Sequence, residues 1–339
     1  MCILQESVDR DLLHPLVELT SSWLNCRDQP VLNPTVQPVL LNDSVYAEGW
    51  SNKLPIIWKY SIPKNTWSPL PYPEGILSDR VAITAYQSRL LVVAGDYRIS
   101  NYGKQVDKLG DKVFVLKSDG SWEEDVISPL PDGLSMLNIS ASSEGSCLIV
   151  AWKEDYHIKL LIYDGHTWIK REGPKLGGID RRINILFCDQ TVFLTVSQEY
   201  PILHKTSLEE LLAADSTDTS RQKWVDIQNI PRDHSNLTLF CGHFTLVFRL
   251  TSSAVCVLVY LTASNTWMEL GALNCDSQIM PNIVGLSDGR LLLIGRARIP
   301  GANLIAQRFP LRRNRLFSFP PEQIPHTKID VLVVTTKGK

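Results

Sequence analysis

Tyr60-Ser61-Ile62-Pro63-Lys64-Asn65-Thr66-Trp67 and Tyr260-Leu261-Thr262-Ala263-Ser264-Asn265-Thr266-Trp267 share the pattern Tyr-x4-Asn-Thr-Trp. Each is preceded by an apolar, β-rich run, and each carries an Asn that tolerates positive φ just before the Trp. That combination reads as a β-hairpin. Shorter versions stand at Asp119-Gly120-Ser121-Trp122 and Asp164-Gly165-His166-Thr167-Trp168. Trp23, Trp67, Trp122, Trp168, Trp224 and Trp267 follow one another at intervals of 44, 55, 46, 56 and 43 residues. A recurrence of this length marks a repeat architecture.

Upstream of each hairpin lies a second apolar pair, so each unit holds four strands. One unit takes Arg80 to Tyr86, Arg89 to Gly95, Val113 to Lys117 and Ser121 to Ile127. The next takes Leu137 to Ser142, Cys147 to Trp152, Ile158 to Tyr163 and Thr167 to Lys170. A later one takes Leu237 to Cys241, Phe244 to Leu250, Val255 to Tyr260 and Thr266 to Leu270. Proline follows many of the tryptophans, as in Ser68-Pro69-Leu70-Pro71 and Ser128-Pro129-Leu130-Pro131, where it ends an edge strand without losing a ladder bond. Four-stranded units in series that cannot bury both faces alone are the blades of a β-propeller. Thr206 to Ala214 alone reads as helix, with a capping-box start, and falls between a third and a fourth strand.

Composition narrows the function classes. The 339 residues are 44% hydrophobic and 21% charged, with a formal net charge of −2. That balance favours neither nucleic acid nor a membrane as partner. Seven cysteines form no C-x-x-C pair and sit mostly in apolar runs, which suits free thiols in a reducing compartment and a cytoplasmic location. The N-terminus, with Glu6, Asp9, Arg10 and Asp11, does not read as a signal peptide. The most apolar stretch, Leu237 to Ala263, contains His243 and Arg249 and reads as two strands around a turn rather than a membrane span.

The chain resembles the kelch-repeat family. The resemblance rests on the Tyr-x4-Asn-Thr-Trp hairpins, on Trp followed by Pro-Leu-Pro, and on second strands such as Leu90 to Gly95 and Gly289 to Gly295. It covers roughly Thr35 to Pro310. It implies an all-β fold, a six-bladed β-propeller of four-stranded antiparallel blades. Residues 1–34 then contribute a closing strand around Trp23, residues 35–310 hold the blades, and residues 311–339 form a tail with one further strand, Ile329 to Val334. Closure by the N-terminal strand is the reading taken here. The rival uses Leu316-Phe317-Ser318-Phe319-Pro320-Pro321 as the last fourth strand. In the last unit Ile283 to Leu286, Arg290 to Gly295 and Leu304 to Phe309 supply the first three strands.

Two enzyme readings on this fold are weighed and set aside. A copper radical oxidase resembling galactose oxidase needs two Tyr and two His ligands, and no His pair here has ligand spacing, so no metal or cofactor is assigned. Sialidase-like glycosidases carry Asp boxes, and Asp119-Gly120 and Asp164-Gly165 echo these but lack the residue between Asp and Gly. No acid/base carboxylate pair can be named either, so no catalytic residue is assigned. What remains is recognition of a protein partner through loops on one face. Kelch domains that capture acidic peptides do so with Arg at first-strand starts, which the resemblance carries onto Arg80, Arg181, Arg182 and Arg232. Arginine suits the task because its planar fork meets a carboxylate at two points. The connection Asp96 to Asp111, with Tyr97, Arg98 and Tyr102, is the second candidate contact. The alternative function is a glycan-directed enzyme or a lectin-like module. Gly289 to Pro321 adds seven arginines and no acid, a run that steers acidic partners.

Overall fold

The computed structural model describes residues 18–25, 31–32, 37–51, 54–74, 76, 81–94, 112–124, 126–131, 137–154, 157–175, 183–196, 202–213, 224–227, 238–240, 243–251, 254–261, 266–274, 282–286, 290–296 and 329–337. The strands in chain order begin with β1 (Glu18–Asn25), β2 (Val31–Leu32), β3 (Val39–Leu41), β4 (Ser44–Ser51), β5 (Leu54–Ser61) and β6 (Thr66–Leu70). Then come β7 (Val81–Tyr86), β8 (Arg89–Ala94), β9 (Val113–Leu116) and β10 (Trp122–Glu123). The next set is β11 (Leu137–Glu144), β12 (Cys147–Glu154), β13 (His157–Tyr163) and β14 (Trp168–Lys175). After it come β15 (Ile183–Cys188), β16 (Thr191–Val196), β17 (Ile202–Ser207), the helix α1 (Leu208–Ala213) and β18 (Val225–Ile227). The chain continues with β19 (Thr238–Phe240), β20 (His243–Thr251), β21 (Ala254–Leu261), β22 (Thr266–Asn274), β23 (Asn282–Gly285), β24 (Arg290–Arg296) and β25 (Ile329–Lys337).

Four blades are regular. β7–β10, β11–β14, β15–β18 and β19–β22 are each a four-stranded antiparallel meander of consecutive strands. The sequence reading expects six units of that one kind, and the other two sheets differ from it for identifiable reasons. One holds β2 to β6, with both β2 and β3 paired to the same edge of β4. Its first position is thus one strand in two pieces, and Pro34 and Pro38, which have no N–H for a ladder, lie in that interval. The other sheet runs β1-β25-β24-β23 and draws on both ends of the chain. Its third position is taken by β25, where the sequence reading put Leu304 to Phe309. Those residues, and the rival closing strand Leu316 to Pro321, lie outside the described residues. Trp23 is in the outermost strand and pairs with Leu332.

Why these runs become blades is legible in β8. Its alternate side chains go to opposite faces, as a pleated strand demands. Leu90, Val92 and Ala94 enter a core shared with Tyr46 and Ile57 of the preceding sheet. Leu91 and Val93 enter one shared with Leu148, Val150 and Trp152 of the following sheet. A strand buried on both faces needs a near-continuous apolar run, and Leu90 to Ala94 provides it. Further cores lie between the β11–β14 and β15–β18 blades, between the β15–β18 and β19–β22 blades, and between the sheet of β23 and β24 and that of β4 to β6. First strands pack in succession: β3 on β7, β7 on β11, β11 on β15, β19 on β23, and β23 back on β3.

The tryptophans mark this stacking. Trp67, Trp122, Trp168, Trp224 and Trp267 each pack into the core shared with the preceding sheet. Three of them sit opposite a Tyr of the third strand: Tyr60 with Trp67, Tyr163 with Trp168 and Tyr260 with Trp267. Their ring centroids are 5.0, 5.0 and 5.3 Å apart. The indole N–H of Trp122 donates to Pro71 O at 2.9 Å, and that of Trp168 to Ser128 O at 2.7 Å. Hence the Pro-Leu-Pro that follows one Trp is where the next Trp fastens.

Local chemistry holds each turn. Asn65, at φ 49°, accepts the Tyr60 hydroxyl at 2.8 Å. Gly120 and Gly165 take φ of 87° and 100°, the left-handed region open to glycine. In β14 a Cβ on Gly173 would come 2.8 Å from Ile158 Cβ, where the β13–β14 register shifts. Helix α1 has the anticipated capping box: Ser207 Oγ accepts from Glu210 N at 3.1 Å, and Ser207 N donates to the Glu210 carboxylate at 3.3 Å. At its other end the Arg171 guanidinium donates to Leu211 O and Leu212 O. The described residues of the apolar stretch from 237 to 263 form the strands β19 to β21, and no helix among the described residues is long and apolar enough to cross a membrane.

Candidate functional site

The meander gives each blade two unlike ends. At one end the first and second strands join through two-residue turns at Asn42-Asp43, Gln87-Ser88, Gly145-Ser146 and Asp189-Gln190. Positive φ at Asn42, Gln87, Ser88, Gly145, Asp189 and Gln190 matches the right-handed strand twist. The third-to-fourth turns, including Asp119-Gly120 and Asp164-Gly165, lie at the same end. The other end carries the passages between blades and the second-to-third connections, which range from two residues at 52–53, 155–156 and 252–253 to the long segment 95–112.

All seven residues singled out from the sequence, Arg80, Tyr97, Arg98, Tyr102, Arg181, Arg182 and Arg232, lie outside the described residues. The strand ends that flank them are described. Val81, which follows Arg80, pairs with Ala94, the end of β8 that leads into residues 95–111. Ile183, which follows Arg182, pairs with Val196 at the same end of its blade. Arg232 falls in the passage between β18 and β19. The flanking strand ends therefore all belong to the face that carries the passages between blades.

Below that face the described residues hold several charged groups. Lys112 and Glu124 pair at 2.8 Å on the surface. Lys159 bridges Glu172 at 2.5 Å and Glu154 at 3.8 Å. Glu48 of β4 is 1% exposed. Burial, with the nearby Glu48 charge adding to it, raises the Tyr72 hydroxyl well above the ordinary tyrosine range. A residue such as Glu48 is invisible to sequence reading, since a single acid in the apolar run of β4 looks like a solvent-facing position.

The inner strands are tied to one another by side chains. Ser140 Oγ accepts from Ile185 N at 3.1 Å, and Ser142 Oγ from Phe187 N at 2.9 Å. Glu144 accepts from Asp189 N at 3.0 Å and from Gln190 N at 3.4 Å. Thr238 Oγ1 accepts from Gly285 N at 2.9 Å, and the Ser143 hydroxyl donates to Ala85 O. The inner edge of a blade would otherwise present unpaired N–H groups. Ser142→Ala is expected to leave the buried Phe187 N–H unpaired and to destabilise the protein by about 1–3 kcal/mol. A urea midpoint equal to that of the wild type would contradict this.

Two arrangements resemble reactive sites. Donor atoms of Glu144, Cys188 and Asp189 lie within 4.8 Å of one another. Yet both Glu144 oxygens already accept backbone N–H groups, and burial, then Asp189 and Glu144, push the Cys188 thiol up to about 12. A thiol held so firmly protonated is a poor metal ligand or nucleophile. Cys147, pushed up to about 11 by burial, Asp164 and Glu144, is likewise inert. The second arrangement is His204 Nδ1 against Asp226 Oδ1 at 2.6 Å, across β17 and β18 at the outer rim.

The Asp-Gly turns resolve in the same terms. Asp119 Oδ1 accepts from Ser121 N and Oγ, and Asp164 Oδ1 from His166 N and Thr167 N. These bonds lower both carboxyls from their ordinary values. Both acids are thus occupied in shaping hairpins.

No protein-family model matches the sequence, and no curated protein matches it. Solved structures do. YjhT aligns with a TM-score of 0.51 at 12% identity over 80% of this chain and 93% of its own. A phage phi92 endosialidase aligns with a TM-score of 0.52 at 12% identity over 94% of this chain and 69% of its own. The chain is a β-propeller. At this identity the likeness is one of fold alone, and the propeller's blades are the four-stranded antiparallel sheets described above.

Proposed function

We propose that this propeller is a non-catalytic, kelch-type interaction module that captures a protein partner with the face that carries the passages between blades. In this reading the two irregular sheets serve as the fifth and sixth blades, and β1 completes the ring. Arg80, Arg181, Arg182 and Arg232 meet an acidic segment of the partner, and Tyr97, Arg98 and Tyr102 flank it. The observation that carries the proposal is the shared end. The strand ends leading into all seven residues belong to one face, whereas the opposite face carries the first-to-second turns and the third-to-fourth connections, among them the one with α1. Among the described residues Cys147, Cys188 and Cys256 form no disulfide, which accords with a reducing, cytoplasmic setting.

A glycan-directed reading has one specific observation in its favour, the likeness in fold to an endosialidase. Against it, Asp119 and Asp164 are taken up by turn hydrogen bonds. The two readings part in one experiment. Wild type and the Arg80→Ala/Arg182→Ala double variant are immobilised, checked for intact β structure by circular dichroism, and offered a native lysate. Loss of a protein partner in the double variant supports Arg-centred capture. A partner retained by the double variant but lost when residues 96–111 are replaced by a short Gly/Ser link moves recognition to that connection. No protein captured, together with a hit on a glycan array, overturns the proposal in favour of the glycan reading.

A further inference from the structure

β18 is a short strand, held to β17 by three residue pairs: Leu203 with Ile227, His204 with Asp226, and Lys205 with Val225. Its outward side is solvent-facing, with Val225 46% exposed. The middle pair is the unusual one. His204 is 6% exposed, and Asp226 Oδ1 lies 2.6 Å from its Nδ1. The Trp224 ring, which leads into β18, stands edge-on to the imidazole at 6.3 Å. Behind His204 lies Leu194 of β16, part of the apolar core shared with the preceding blade.

We propose that the His204–Asp226 pair is an acid-sensitive latch that fastens the outer strand β18, and with it Trp224, to the rim of this blade. With neutral imidazole, Nδ1–H donates to the Asp226 carboxylate and the ring completes the apolar wall. With imidazolium, a second N–H and a full charge must be accommodated against Leu194 and Trp224. Several described charged groups of the surrounding elements are engaged elsewhere. Glu210 of α1 accepts from Thr206 Oγ1 and Ser207 N, and Arg171 of β14 is bonded to the carbonyls at the end of α1. Lys205, on the other face of β17, is bonded to the Tyr260 hydroxyl. Among the described residues Asp226 is the partner that favours the charged ring, and at the surface its attraction is screened.

The direction follows from burial. Burial lowers the His204 pKa from its ordinary value, and Asp226 opposes this only in part. The unfolded chain therefore binds a proton more readily than the folded one. The stabilisation is complete above the ordinary histidine value of about 6.5 and is lost as the pH falls below it. The rim is closed at neutral pH and opens in acid, exposing Trp224 and the edge of β17.

Hydrogen exchange of the peptide covering residues 224–227, corrected for the intrinsic rate at each pH, tests the latch on the whole chain. Between pH 7 and pH 5 its protection is expected to fall, as the folded state loses its advantage over a chain that protonates His204 more readily. β12 is expected to keep its protection over the same range. His204→Gln, which keeps a hydrogen-bonding side chain but does not titrate, is expected to abolish the pH dependence. Asp226→Asn is expected to move the release to lower pH. Should His204→Gln not fold, the imidazole titration is followed by NMR in the wild type, where a midpoint at or above 6.5 overturns the proposal. It is equally overturned by protection that does not change with pH, or by the same fall in His204→Gln.

Discussion

Trp152→Ala is expected to destabilise the protein by about 3–5 kcal/mol, among the largest effects of any single substitution in this chain. Trp152 is fully buried in β12, at the junction of the β7–β10 and β11–β14 blades. It packs with Val113, Val115, Leu148 and Val150, and Lys170 Nζ lies 5.9 Å from its ring centroid. Removing the indole opens a cavity between two rigid sheets that cannot close on it, because each is fixed by its own ladder and by a further blade behind. The cost therefore combines lost burial with an unfilled void. Trp152→Phe, which refills most of the space, is expected to recover more than half of the loss. Among the described residues the indole N–H of Trp152 has no hydrogen-bond partner, so phenylalanine forfeits no bond there. Urea denaturation of the two variants decides the matter, and an alanine variant within about 1 kcal/mol of wild type would show that the junction repacks.

Tyr260→Ala is expected to act on the same scale, about 3–5 kcal/mol, for a partly different reason. Tyr260 is fully buried between the β15–β18 and β19–β22 blades. Its ring stands edge-on to Phe193 at 6.4 Å and tilts against Trp267 at 5.3 Å. Its hydroxyl accepts from Lys205 Nζ at 3.0 Å, so the side chain joins both blades by packing and by a charge-assisted bond. Tyr260→Phe separates the two contributions. It keeps the ring and loses the bond, for an expected loss of about 1.5–3 kcal/mol. A double-mutant cycle with Lys205→Met measures the coupling directly. If Tyr260→Phe and Tyr260→Ala destabilise equally, ring packing is not what binds these blades.

Both predictions act between blades, and the sequence pointed to that region only indirectly. The Tyr-x4-Asn-Thr-Trp pattern was readable because hairpin geometry is local. Asn at positive φ, two strands and a facing Tyr–Trp pair depend on residues within ten positions of one another. The capping box of α1 and the strand runs from Arg89 and Cys147 were legible on the same ground. The partner of Ile329–Lys337 was not. Its third-strand place beside β24 depends on pairing across the whole chain, and one apolar run competes with another for that place until the register is set. The split first strand of the β2–β6 sheet was missed because two short apolar pieces around prolines carry no periodic signal.

The candidate site was legible to a different degree. Arg80, Arg181, Arg182 and Arg232 were noticed as residues at first-strand starts, and Tyr97, Arg98 and Tyr102 as loop residues. That their flanking strand ends share one face follows from meander alternation, which any four-stranded unit obeys. The His204–Asp226 pair was not singled out, although a His and an Asp on neighbouring third and fourth strands were there to be found. What hid it is the 22-residue separation across α1, which no fixed spacing spans.

By itself, then, the amino-acid sequence determined the all-β blades, their Trp-marked outer strands and their turn chemistry, because each rests on short-range backbone preference and two-residue alternation. Tertiary structure alone decided which strand fills each place in the closing sheet and which acids are buried. It also decided which polar side chains tie one blade to the next. Those outcomes depend on competition among distant segments for the same ladder and the same core, and the free energy of that competition is not written in any local stretch of the chain.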